Sequence, residues 1–188
     1  MKIKVGVMGS ASGEFMEDSR KLVYEVGQEI ARHGCALITG GCPGLPYDAT
    51  KGAKAEGGMT IGISPGLDLD EHVNKYHSPT DDIDLLIFTG SGFMGREVTA
   101  VRSCDIVIVA GGRSGTLGEF AIAYDEGKVI GILEGTGGIT SEIKDILRVI
   151  KKNTGSEIVF SDNPKELVAR LLKVWEETND DPKPPFSG

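Results

Sequence analysis

The sequence predicts an α/β fold: a single doubly wound parallel sheet with helices on both faces. Three observations carry that prediction. Short apolar runs of strand length alternate with segments of helical periodicity along the whole chain. The apolar runs are continuous rather than alternating, as expected of strands buried on both sides. Glycines, 27 of 188 residues, gather where strand runs give way to helical ones and show no collagen-like period.

Each element follows from its residues. "IKVGVM" (3–8) reads as a buried strand. In "EDSRKLVYEVGQEIARHG" (17–34), Leu22, Val23, Val26 and Ile30 share one helical face, and Gly34 ends the helix. "CALIT" (35–39) is the next strand, and "PYDATKGAKAEGG" (46–58) is a helix of small residues suited to close packing on a sheet. "MTIGIS" (59–64) is a third strand. The acidic run 68–84 follows, either a solvated connection or a lid over a site. "DLLIF" (84–88), a helix over 92–104 and the strand "DIVIVA" (105–110) come next. A helix over 115–127, a strand over 128–133 and a helix over 141–153 continue the alternation. The strand 156–160 and the helix 163–177 close it, with Asn163 as N-cap and Pro164 as the first helical residue. This order places residues 1–178 in one domain and leaves 179–188 as a flexible tail.

Composition narrows the function classes. A chain of 188 residues with 39 % apolar content buries one sizeable core. The net charge of −8 argues against nucleic acid as the main partner. Any anion site must therefore use local dipoles and a few arginines. Cys35, Cys42 and Cys104 are odd in number and form no C-x-x-C, which fits reduced thiols in a cytoplasmic protein. The start "MKIKVGVMGS" has no signal-peptide pattern, and no apolar run reaches membrane-spanning length.

In an open parallel sheet, ligands bind beyond the carboxyl ends of the strands. The segments that follow the strands are "GSASG" (9–13), "TGGCPGLPYDA" (39–49), "TGSGFMGRE" (89–97), "GGRSGTLGE" (111–119) and "EGTGG" (134–138). Glycine lets a backbone approach a ligand, and a helix N-terminus favours an anion, so phosphate is the natural guest. Each loop alone reads equally well as a turn that needs glycine for its geometry. Several at one sheet edge point to a shared site. The candidate contacts are Gly9, Ser10, Gly40, Gly41, Gly44, Asp48, Gly111, Gly112, Arg113, Ser114, Gly115 and Thr116. "GSASGEF", after the first strand, is not G-x-G-x-x-G, and no G-x-x-x-x-G-K-[ST] occurs, so a dinucleotide dehydrogenase and a P-loop NTPase are unsupported.

The charged candidates each carry two readings. Glu119 is a first-turn acid complementing the helix dipole, or a group facing the ligand. Arg96 is a surface arginine near a helix start, or a partner of Glu119 or of a phosphate. Arg113 is a solvated loop residue or a phosphate contact. Asp48 is an early-helix acid or a contact to a ribose hydroxyl. Arg102 lies on another face of its helix than Arg96 and fits a structural ion pair. Cys42 is a small buried residue within a glycine loop, or touches the ligand. His33, His72 and His77 lack metal spacing with the cysteines, so no metal site is expected.

"TGGCPGLPYDATKGAKAEGG", "TIGISP" and "MGREVTAVRSCDIVIVAGGRSGTLGEF" together resemble the Lonely Guy (LOG) superfamily over about residues 3 to 135. Many of its members once carried a lysine decarboxylase label. The "GREVTAVRSCD" form is similar to the branch that includes molybdenum-cofactor carrier proteins. The resemblance implies a Rossmann-like, nucleotide-binding fold and a homo-oligomer. LOG enzymes are phosphoribohydrolases that cleave adenine-type nucleoside 5′-monophosphates, including cytokinin nucleotides, to base and ribose 5-phosphate. Their signatures are M-x-x-R-K and P-G-G-x-G-T-x-x-E. Arg96 takes the arginine position of the first, with Glu97 where the family has lysine. Gly111, Gly112, Gly115, Thr116 and Glu119 match the second. Ala110 replaces its proline, and Arg113–Ser114 replaces a single residue, lengthening the loop by one.

Two functions follow. In one, the protein binds a phosphorylated nucleotide or nucleotide-like cofactor at the carboxyl edge of the sheet without turnover, as a molybdenum-cofactor carrier would bind a phosphorylated pterin. In the other, it is a phosphoribohydrolase with Arg96 and Glu119 at the ribose and scissile bond. Neither needs a cofactor of its own. A pyridoxal-phosphate decarboxylase is disfavoured, since the lysines lie on polar helix faces or termini rather than in a desolvated pocket.

Overall fold

The structure, a computed structural model, describes residues 1–13 and 16–180. Seven strands form one sheet: β1 (Lys4–Gly9), β2 (Ala36–Thr39), β3 (Met59–Ser64), β4 (Leu85–Phe88), β5 (Ile106–Ala110), β6 (Val129–Leu133) and β7 (Glu157–Ser161). Their order is β4-β3-β2-β1-β5-β6-β7, and every adjacent pair is parallel. The expected doubly wound α/β fold is the observed one. β5 and β6 are buried at every position, which explains their unbroken apolar runs.

Six helices cover the two faces. α1 (Glu17–Arg32), α2 (Leu45–Ala55) and α6 (Pro164–Asp180) enclose one core with Val5, Val7, Leu37, Ile106 and Ile108. α3 (Gly92–Arg102), α4 (Ser114–Asp125) and α5 (Ile143–Ile150) enclose the other with Met8, Ile38, Ile63, Val107 and Val109. The predicted helix stops hold. Gly34 is left-handed at φ +72°, and its N–H donates to Ala31 O at 2.8 Å. Asn163 caps α6, its Oδ1 accepting from Glu166 N at 3.0 Å.

α1 and α2 touch backbone to backbone. A Cβ on Gly27 would lie 2.0 Å from Ala49 O, and one on Gly52 would lie 2.0 Å from Tyr24 O. This close approach is the reason for the small residues of α2.

Three expectations need correction. The helix expected over 141–153 is a 3₁₀ turn at Gly138–Ser141 followed by the shorter α5, which stops where Lys151 turns left-handed at φ +48°. The acidic run 68–84 is more than a solvated connection. It folds a turn of π-helix at Glu71–Lys75 around His72, which is fully buried. His72 Nε2 lies 2.9 Å from Pro79 O and Nδ1 lies 2.9 Å from Ser64 Oγ. A carbonyl only accepts, so Nε2 carries the proton and the Ser64 hydroxyl donates to Nδ1. Finally, α6 runs through Asp180, past the expected domain end at 178. The rest of the expected tail, 181–188, lies outside the described residues. Among the described residues no helix is long and apolar enough to cross a membrane.

Candidate functional site

The strand order reverses at β1. From there the chain builds outward through β2, β3 and β4, then returns to lay β5 on the other side of β1. Loops leaving β1 and β5 must part at that point, which opens a crevice beyond their carboxyl ends. Gly9 pairs with Ala110 at the mouth, and a Cβ on Gly9 would lie 2.5 Å from Ala110 O.

After β5 the chain turns through two left-handed glycines, Gly111 (φ +59°) and Gly112 (φ +93°). A Cβ on Gly112 would lie within 2.5 Å of three Thr116 side-chain atoms, so glycine is required there. Gly111 N donates to Thr136 Oγ1 at 2.8 Å, tying the turn to the loop after β6. Arg113, mostly exposed, donates from Nη2 to Ser12 Oγ at 2.8 Å, which ties it to the loop after β1. α4 begins at Ser114 without a side-chain cap, so no side chain takes up its first-turn amides.

A cavity of about 440 Å³ occupies the crevice. Of the sequence-predicted residues, Gly9, Ser10, Gly40, Arg96, Arg113, Ser114, Gly115, Thr116 and Glu119 line it. Gly111 and Gly112 line an adjoining cavity of about 300 Å³, which shares Ser10, Ser12 and Arg113 with the first. Gly41, Gly44 and Asp48 line neither cavity. Gly44 supports the crevice from behind: a Cβ there would lie 2.3 Å from Ser10 O. Asp48 is buried and bidentate with Arg20, at 3.0 Å from Nε and 2.9 Å from Nη2. Arg102 forms the expected ion pair, with Glu126 at 2.5 Å.

The cavity's charges come from α3 and α4. Arg96, Glu97 and Glu119 are each only 6 % exposed. The Arg96 guanidinium lies over Gly40, where a Cβ would sit 1.5 Å from Nη1, so glycine at 40 makes room for it. Its Nε is buried without a hydrogen-bond partner. Burial pushes the Glu119 carboxyl up to about 7; Arg96 opposes that shift and Glu97 reinforces it. Burial likewise raises Glu97, again against Arg96. The buried Cys42 thiol lines the same cavity and is also raised by burial. Phe93 and Met94, largely exposed, form an apolar rim.

Glu97 is the residue that the candidate contacts omitted. A glutamate next to an arginine at a helix start ordinarily reads as solvated. The available signal was the pair Gly115 and Gly118 on the facing helix. A Cβ on either would lie 3.3 Å from a Glu97 carboxyl oxygen.

A parallel Rossmann-like sheet, with a glycine turn leading into α4 and buried charges around a cavity at the strand reversal, is an architecture of the LOG-like kind. The chain belongs to the SLOG cluster4 family, which matches residues 2–168. An uncharacterised protein of Archaeoglobus fulgidus is 37 % identical over 132 residues, covering 70 % of this chain and 80 % of that one. The molybdenum cofactor binding protein from the phototrophic bacterium Rippkaea orientalis is 31 % identical, with a TM-score of 0.74 over 93 % of this chain and 97 % of that one. The molybdenum cofactor carrier protein from Chlamydomonas reinhardtii is 28 % identical, with a TM-score of 0.72 over 92 % and 99 %. The resemblance to the LOG superfamily and its carrier-like branch is thereby upheld.

Proposed function

We propose that this protein binds a phosphorylated, ring-bearing small molecule in the β1–β5 crevice, either a phosphorylated pterin-type cofactor or a nucleoside monophosphate. The observation that carries this is Arg96. It is a cation on α3, buried beside the cavity with an unpartnered Nε. The neighbouring carboxyls of Glu97 and Glu119 offset its charge, but a buried N–H donor without an acceptor costs about 1–3 kcal/mol unless a ligand acceptor meets it. The amides of Ser114, Gly115 and Thr116 and the rim guanidinium of Arg113 supply phosphate donors at the other side. The two relatives that handle molybdenum cofactor support the pterin form of the ligand.

A second reading rests on Glu119. A carboxyl titrating at about 7 is suited to donate a proton to a departing base. An N-glycosidic bond breaks through an oxocarbenium-like state, which the remaining carboxylate Glu97 would stabilise. Incubation with AMP, GMP and a pterin phosphate separates the two readings. Tight binding without release of free base or ribose 5-phosphate supports the binding protein. Release that disappears in Glu119→Gln supports the phosphoribohydrolase. Gly115→Val, which drives a side chain against Glu97 at the start of α4, should abolish ligand binding while the fold persists; unchanged affinity would place the ligand elsewhere.

A further inference from the structure

We propose that Glu97 sets which ring the cavity accepts. Its carboxylate takes two parallel hydrogen bonds from the ring N–H and exocyclic amino group of a 2-amino-4-oxopyrimidine, the edge common to guanine and pterins. This rests on the reading that a phosphorylated ring compound occupies the crevice.

Three features of the site point this way. First, Glu97 is 6 % exposed, lines the cavity, and is compensated by the nearby charge of Arg96 with no hydrogen bond among the influences on it. A buried carboxylate left so is stabilised by any ligand that brings N–H donors. Second, Oε1 lies 3.3 Å from where a Cβ of Gly115 would stand and Oε2 lies 3.3 Å from where one of Gly118 would stand, so glycine at both positions makes room for the carboxylate beside α4. The two oxygens of a carboxylate accept two parallel hydrogen bonds from one planar edge. Third, the sign of the charge excludes the phosphate. A phosphate dianion beside Glu97 and Glu119 meets two acids, whereas the turn at 111–116 offers it amides and Arg113. The phosphate belongs at the turn, and the ring belongs between α3 and α4.

This chemistry discriminates between bases. A guanine or pterin edge presents two adjacent donors to the two oxygens. An adenine edge presents one donor beside a ring lone pair, so one carboxylate oxygen faces a lone pair and is repelled. Hypoxanthine keeps the ring N–H but lacks the amino group. A site built to hydrogen-bond such groups rejects analogues lacking them far more strongly than an apolar pocket rejects a missing methylene. The selectivity runs opposite to the adenine-type substrates that the LOG resemblance implies.

The experiment is calorimetric titration of the 188-residue protein with GMP, IMP, AMP and neopterin monophosphate, with inorganic phosphate as control. The expected order is GMP and neopterin monophosphate tightest, IMP intermediate and AMP weakest, with GMP favoured over AMP by about 50-fold or more. In Glu97→Gln the side-chain amide offers one donor and one acceptor, which suits adenine. GMP should weaken and AMP should gain, reversing the order. A structural role for Glu97 would instead weaken all four ligands together. Equal affinities across the wild-type series, or a uniform loss in Glu97→Gln, overturn the assignment while leaving a phosphate site in place. Absence of binding by every phosphorylated compound overturns the phosphorylated-ligand reading and this inference with it. The wild-type series alone decides the question if the variant does not fold.

Discussion

The two helix pairs at the middle of the sheet treat buried charge and glycine in opposite ways. Between α1 and α2, Gly27 and Gly52 bring backbones into contact, and the buried acid Asp48 is closed by a bidentate arginine. Between α3 and α4, Gly115 and Gly118 make room for the carboxylate of Glu97 instead of a backbone. There, Arg96, Glu97 and Glu119 are as buried as Asp48, yet a cavity stands among them and Arg96 Nε has no partner. The difference shows how to separate framework from site: a buried charge that the protein has satisfied is structure, and one that it has left unsatisfied awaits something.

The sharpest way to break this comparison is to fill the glycines. Gly52→Ala sets a Cβ 2.0 Å from Tyr24 O, a backbone atom, so α1 and α2 must separate. We expect a loss of more than about 3 kcal/mol, or failure to fold. Gly118→Ala meets only the movable end of Glu97 at 3.3 Å and gains helix propensity of about 1 kcal/mol. Its stability should stay within about 1 kcal/mol of wild type. Urea denaturation measures both, and equal losses would mean that the α3–α4 glycines serve backbone packing as well.

Next in size is the pH dependence of stability. The carboxyl of Glu119 is raised in the folded protein to about 7, from an ordinary 4.5. Between those values the folded state holds a proton that the unfolded state has released. Stability therefore falls as pH rises from about 4.5 to about 7 and is flat from this group above that. The shift corresponds to at most about 3 kcal/mol. Glu119→Gln should remove that slope and be relatively more stable than wild type at pH 8 than at pH 5. Parallel curves for the two proteins between pH 5 and 8 would show that Glu119 is neutralised by a partner after all.

A smaller effect tests the satisfied side. Arg20→Ala leaves Asp48 buried without its two hydrogen bonds, at a cost of about 1–2 kcal/mol. The guanidinium is 44 % exposed, so water partly replaces it. Ligand affinity should be unchanged. A weaker ligand in Arg20→Ala would return Asp48 to the site.

The alternation of strands and helices was legible because parallel strands buried on both sides leave continuous apolar runs. Arg96, Gly111, Gly112, Thr116 and Glu119 stood out because they keep a motif's spacing. Asp48 was flagged with them, yet its closure by Arg20, 28 residues away, depends on how closely α1 and α2 pack, which no local pattern encodes. The burial of Glu97 was hidden for the same reason, since it follows from glycines on a different helix. His72 sits in a run so acidic that it reads as solvated, and it is buried by a serine and a carbonyl supplied from outside its own turn.

Arg113 offers the smallest effect on stability and the finest test of where the site ends. It belongs to the inserted pair that lengthens the 111–116 turn, and its hydrogen bonds reach across the crevice mouth to Ser12. Those bonds are exposed, so Arg113→Ala should change stability by less than about 0.5 kcal/mol. A rim cation steers and holds a phosphate without being needed for the fold. Affinity for a phosphorylated ligand should therefore fall about tenfold, roughly 1.4 kcal/mol, with a stronger salt dependence in the wild type than in the variant. Arg96→Gln, buried on the same cavity, should lose far more affinity with little salt dependence, because added ions do not screen a group sealed from water. If both arginines respond alike to salt, the boundary between the rim and the interior of the cavity is drawn in the wrong place.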